Sequence, residues 1–114
     1  MDCFAQYLAF LNGNRRPSHV RRLFIYSIIY LLYLAKNFNR KYFTVNYACF
    51  RKFCKEKLGV DLGKDDMKVF WFVLFYFFND CITVKEEKEE NIETAVDLNL
   101  LRFSLRYFDL RIDD

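Results

Sequence analysis

From Val69 to Phe78 the chain reads Val-Phe-Trp-Phe-Val-Leu-Phe-Tyr-Phe-Phe, ten residues without a charge on any side of a helix. A helix apolar all round belongs inside a protein or a bilayer, because no face of it suits water. A second run, Leu23 to Ala35, holds 13 residues of nearly unbroken apolarity. Crossing a bilayer takes about 20 such residues. Both runs are shorter, and both are bounded by charge: Arg21, Arg22 and Lys36 around one, Lys68 and Asp80 around the other. They predict central core helices and no membrane.

The 114 residues suit one domain spanning 1–114, since folding units commonly hold about 100–200 residues. With 14 Phe and 8 Tyr the chain is too apolar to stay disordered. Only three Gly and one Pro interrupt it, which predicts long elements and short loops. A domain of this size hides roughly two thirds of the surface its unfolded chain exposes. So many rings exceed what one protomer covers, and a partner or a homodimer is expected.

Phe4, Tyr7, Leu8 and Leu11 follow helical spacing and predict a helix over 2–11, opened by Asp2 and stopped by Asn12-Gly13-Asn14. Arg15, Arg16 and Pro17 form a basic connector. Ser18 is the expected N-cap of a helix running to about Asn37. Its expected core face is Ile25, Ile28, Ile29, Leu32 and Ala35, flanked by a stripe of Tyr26, Tyr30 and Tyr33. The stripe reads either as a core edge with hydroxyls in water or as a contact surface for a partner. Residues 38–44 suit a short strand. Thr44 then caps a helix from about Val45 to Leu58 that Gly59 closes, apolar at Tyr47, Phe50, Phe53, Cys54 and Leu58. Asp65 and Asp66 open the next helix, to about Asn79, where carboxylates meet the positive end of the dipole.

Beyond Asp80 the period becomes two. Residues 81–85 and 92–100 read as strands joined by a solvated turn, Glu86 to Asn91. The tail from Leu101 either continues extended or forms a last helix with Leu101, Leu105 and Phe108 inward. The expected class is α+β, mainly α: a helical core followed by a C-terminal β-hairpin. In this order of elements, residues 18–100 resemble a winged helix-turn-helix domain, with helices over Ser18–Asn37, Val45–Leu58 and Asp65–Asn79 and a wing over 81–100. The composition is similar to that of small proteins of thermophilic archaea and their viruses. The resemblance implies DNA binding and a part in transcription regulation.

Catalytic parts are missing from the sequence. The single histidine, His19, stands in a basic stretch, and no phosphate-binding glycine loop or nucleophile motif appears. Cys3, Cys49, Cys54 and Cys81 lack the short paired spacing of a zinc site. The expectation is no enzyme, no metal and no cofactor. Two disulfides are arithmetically open. With Asp2 where a secretory signal carries basic charge, four reduced thiols in a cytoplasmic or nuclear compartment are expected.

Charge is divided along the chain. Through residue 64 twelve Lys/Arg face three acids, a net +9; from residue 65 six face twelve, a net −6. Arg15, Arg16, Arg21, Arg22, Arg40, Lys41, Arg51, Lys52 and Lys55 are the candidate contacts to a polyanion. Arg51 and Lys55 lie four apart, a mildly destabilising like-charge pair on a helix. Phosphate backbone is the expected ligand, as duplex DNA. A merely solubilising basic face is the alternative.

The winged-helix comparison carries a conflict. Its third helix normally offers polar side chains to the major groove, whereas Val69–Phe78 offers none. The acidic run Glu86-Glu87-Lys88-Glu89-Glu90 would be repelled by phosphate. Contacts are therefore expected from residues 15–55. Phe70, Trp71, Phe75 and Phe78, with the tyrosine stripe, are the candidate dimer or partner interface, or else a central helix wrapped by its own chain. A protein-interaction module, docking through the acidic hairpin and this aromatic surface, is the second reading.

Overall fold

A run that is apolar on every side leaves the rotation of its helix undecided, and the first helix shows which phase prevails. The computed structural model describes residues 17–86 and 92–107. The expected helix over 2–11, Arg15, Arg16, the tip of the hairpin turn and Phe108 lie outside them. Helix α1 (Pro17–Asn37) starts one residue ahead of the cap expected at Ser18, with proline in a first turn that needs no N–H. It buries Val20, Leu23, Ser27, Tyr30, Leu31, Leu34 and Ala35. Of the expected core face only Ala35 is buried, and Ile25 is 52% exposed. The prevailing phase takes Ser27 inside because its hydroxyl donates to Leu23 O at 2.8 Å, which satisfies it locally.

Strand β1 (Tyr42–Asn46) follows. Thr44 is not a cap; it lies within the strand opposite Ala95. The cap is Asn46: its backbone is extended, and its side-chain Oδ1 accepts the Cys49 N–H at 2.9 Å. Helix α2 (Tyr47–Phe53) continues as a π-turn over Cys54–Leu58 and ends at Gly59, where φ is 66°. That left-handed geometry suits glycine. Tyr47, Phe50, Phe53 and Cys54 are buried, as the pattern predicts.

A 3-10 turn (Lys64–Asp66) leads into α3 (Met67–Phe77). Val69, Phe70, Trp71, Val73 and Leu74 are buried, but burial is not complete all round: Tyr76 is 64% exposed and stacks on half-buried Phe72 at 5.1 Å. The Phe50 and Phe70 rings stack at 4.2 Å, with Tyr30 5.4 Å from Phe50, so α1, α2 and α3 meet in one aromatic core.

A second 3-10 turn (Asn79–Cys81) precedes β2 (Ile82–Glu86), and β3 (Glu93–Asp97) runs back to helix α4 (Leu98–Tyr107). The three strands form an antiparallel sheet in the order β1-β3-β2. The expected strand to residue 100 stops at Asp97, whose carboxylate accepts from Asn99 N and Leu100 N at 3.0 and 3.1 Å and caps α4. Leu98, Leu101 and Leu105 then point inward at helical spacing, all fully buried. Arg102 locks α4 to the end of α1: Nε donates to Ala35 O at 2.9 Å and a terminal nitrogen to Phe38 O at 2.7 Å. These carbonyls lie at a helix end, where intrahelical partners run out. The fold is mainly helical α+β.

Candidate functional site

Burying Tyr47, Phe50, Phe53 and Cys54 turns the opposite side of α2 outward. Ala48, Arg51, Lys52 and Lys55, spaced i, i+3, i+4 and i+7, are all exposed there. They form one wall of an open groove of about 920 Å³.

The loop after α2 forms the second wall. Buried Leu62 anchors it, the Tyr47 hydroxyl donates to Gly63 O, and the Gly63 N–H donates to Asp66 Oδ2 at 3.0 Å. Gly63 is held from both sides, and Asp61, Lys64 and Asp65 beside it face the groove. Lys68 and Met67, in the first turn of α3, extend that wall. Asn46 and its cross-strand partner Glu93, with Ile92, close one end.

Five cations, Arg51, Lys52, Lys55, Lys64 and Lys68, thus converge with three carboxylates, Asp61, Asp65 and Glu93. The excess is positive. Lys52 stands 4.0 Å from Glu56 in an exposed pair, which is worth little. Lys64 and Lys68 are absent from the candidates drawn from the sequence. Their spacing of four residues is the signal that pairs them, once the helix is known to begin at this turn.

The remaining candidates fall elsewhere. Arg21 and Arg22 are exposed near the start of α1, which His19 ties to the second wall through Asp66 at 3.0 Å. Arg40 and Lys41 precede β1, at its end away from Asn46. A strand rises about 3.3 Å per residue, so the length of β1 separates them from the groove. Lys41 Nζ sits 5.2 Å from the Tyr42 ring centroid.

The expected aromatic interface is corrected. Tyr30, Phe70, Trp71 and Phe78 are core residues of the protomer, because the phase of α1 and the packing of α3 turn them inward. Burial also holds the Tyr30 phenol well above its ordinary range. Tyr26, Tyr33 and Phe75 are half-buried: Tyr33 packs 5.0 Å from Phe53, and Phe75 stacks on Trp71 at 5.5 Å. The indole N–H of Trp71 is buried without a hydrogen-bond partner.

Cys49, Cys54 and Cys81 are free thiols. Burial pushes Cys54 up to about 11 and raises Cys81, which lies 3.2 Å from the Ser104 hydroxyl. A raised thiol is a poor nucleophile at neutral pH. Among the described residues no group of three His, Cys, Asp or Glu is arranged to hold a metal, and no helix is long and apolar enough to cross a membrane.

Comparison of the chain with protein-family models, with curated proteins and with solved structures finds no match. The functional reading rests on the groove.

Proposed function

We propose that this protein binds nucleic acid, DNA in the first instance, in a regulatory or accessory role. One observation carries the reading: Arg51, Lys52 and Lys55 of α2 share a groove with Lys64 and Lys68 from a different segment. Cations gathered from separate elements into one groove favour an anion that neutralises several at once. A polyphosphate backbone does this by releasing its counterions.

The helix, strand, helix, helix, hairpin order and the β1-β3-β2 sheet support a winged-helix-like reading of the fold. The free thiols of Cys49, Cys54 and Cys81, among the described residues, suit a reducing, intracellular setting. The test is an electrophoretic mobility shift with random-sequence DNA at two salt concentrations. Retention that weakens with salt, and is lost when Arg51, Lys52 and Lys55 are reversed to Glu, is the expected result. Undiminished binding by the reversed variant refutes it.

A second reading, a protein contact, draws on α4. Leu100 and Phe103, one turn apart, are 46% and 71% exposed on the side away from the core. A homodimer or protein partner would cover them. Sedimentation of the wild type against a Leu100→Ser, Phe103→Ser variant tests the dimer, which predicts dissociation in the variant. A wild type that stays monomeric at every concentration ends it.

A further inference from the structure

Resting on the nucleic-acid reading, we infer that the groove between α2 and the start of α3 takes an unpaired strand, with bases seated on its apolar lining residues, rather than a duplex. Shape is the first reason. A helix reads a duplex by protruding into a major groove about 12 Å wide. The outer face of α2 is instead one wall of a concavity whose other wall is the Asp61–Lys68 segment. A concave groove suits a flexible strand better than the convex outside of a double helix, whose base edges are recessed in its own grooves.

The apolar lining is the second reason. Ala48 on the α2 wall, Met67 on the facing wall and Ile92 at the closed end are apolar among the charged lining, the last two half-buried against the core. A site for phosphates alone needs no apolar surface. Bases do, because each offers a flat face that stacks on apolar or aromatic groups irrespective of sequence. Methionine suits such contacts, its thioether being polarisable and its rotamers adaptable. Ala48 leaves room at the start of the α2 wall, where a longer side chain would fill it.

Charge placement is the third. Asp61, Asp65 and Glu93 share the groove with the five cations. A duplex would bring the phosphates of both strands to the site, and some would meet these carboxylates. A single strand has the torsional freedom to set its phosphates against Arg51, Lys55, Lys64 and Lys68 and its bases toward Ala48, Met67 and Ile92. From Ala48 to Lys55 the wall is about 10 Å long at 1.5 Å per residue. That matches about three nucleotides at the 3.4 Å spacing of a stacked strand.

Trp71, the sole tryptophan, lies one turn along α3 from Met67 and Lys68 and serves as an internal reporter. The experiment titrates the full chain, followed by Trp71 fluorescence and by anisotropy of the labelled probe. The probes are a mixed-sequence 12-nucleotide single strand, its duplex, and an abasic strand of equal length. The single strand is expected to bind about tenfold or more tightly than the duplex or the abasic strand, in line with base stacking. Lys64→Gln with Lys68→Gln, both exposed, should weaken the single strand about tenfold, and Ala48→Gln should weaken it while leaving the abasic strand unchanged. Equal or tighter binding of the duplex overturns this inference and leaves the nucleic-acid reading standing. Equal binding of the abasic strand removes the base seat. Absence of binding by all three probes overturns both.

Discussion

His19 Nε2 lies 3.0 Å from Asp66 Oδ1, joining the first turn of α1 to a turn 47 residues further along the chain. The other oxygen of the same carboxylate accepts from Gly63 N at 3.0 Å. Asp66 thereby fixes the loop that carries Lys64 and positions Lys68 at the mouth of the groove. Asp66→Ala should destabilise the protein by about 1–3 kcal/mol, the usual penalty for stranding buried polar groups. Urea unfolding would measure it, and a change below about 0.5 kcal/mol would refute a structural role for this carboxylate.

Salt dependence should identify the groove cations individually. Each phosphate neutralised on a single strand contributes about 0.7 to the slope of log K against log salt. Lys64→Gln and Lys68→Gln should each reduce the slope by about that much, whereas Arg40→Gln with Lys41→Gln, at the far end of β1, should leave it unchanged. A larger effect from the Arg40–Lys41 variant would move the binding face to the other end of the sheet.

Phe70 is fully buried and stacked on Phe50. Phe70→Ala should cost about 3–5 kcal/mol through lost burial and the cavity left behind. Phe103→Ser on the exposed side of α4 should change monomer stability by no more than about 0.5 kcal/mol. Thermal or urea unfolding of the pair would show whether these rings divide into core and surface as described.

Arg102 holds two carbonyls, Ala35 O and Phe38 O, and its remaining terminal nitrogen donates to Asn99 Oδ1 at 3.2 Å. Arg102→Lys should not rescue Arg102→Ala, since an ammonium lacks the planar fork that reaches all three acceptors. Each substitution should cost about 1–3 kcal/mol. Wild-type stability in the lysine variant would contradict this account.

Alkaline pH should weaken the fold through Cys54. The folded thiol is held up to about 11 by burial, against 9.0 for the unperturbed group. Between those values the unfolded chain has released a proton that the folded chain keeps, so stability is complete below about pH 9 and declines as pH rises toward 11. The share of the loss due to Cys54 is about 1 kcal/mol per pH unit over that window, and Cys54→Val should remove that share, leaving what the raised Cys81 and Tyr30 contribute. Identical pH profiles for wild type and variant would count against it. Thiol labelling at neutral pH should reach exposed Cys49 well before buried Cys54 or Cys81.

Much of this architecture was legible in the residues. The apolar side of α2 and its stop at Gly59 followed from local pattern, because a helix half polar and half apolar has only one way to face. The two-residue alternation after Asp80 announced the strands. The phase of α1 was not legible, because Ile25, Ile28, Ile29 and Leu32 compete with Leu23, Leu31 and Leu34 and apolar residues line more than one side of the helix. The end of β3 was hidden for a similar reason, since Leu98 fits both a strand alternation and the inward stripe of a helix.

The order of elements as far as β3, the two sides of α2 and the abundance of positive charge before residue 65 are properties of short stretches of chain. Spacing, capping chemistry and composition determine them without reference to distant residues. Which cations become neighbours is another matter. Lys64 and Lys68 meet Arg51 and Lys55 only because Tyr47 and Asp66 hold Gly63 between them, while the length of β1 keeps Arg40 and Lys41 apart. Contacts between residues remote in sequence depend on how the core packs, and that is decided only when the whole chain has folded.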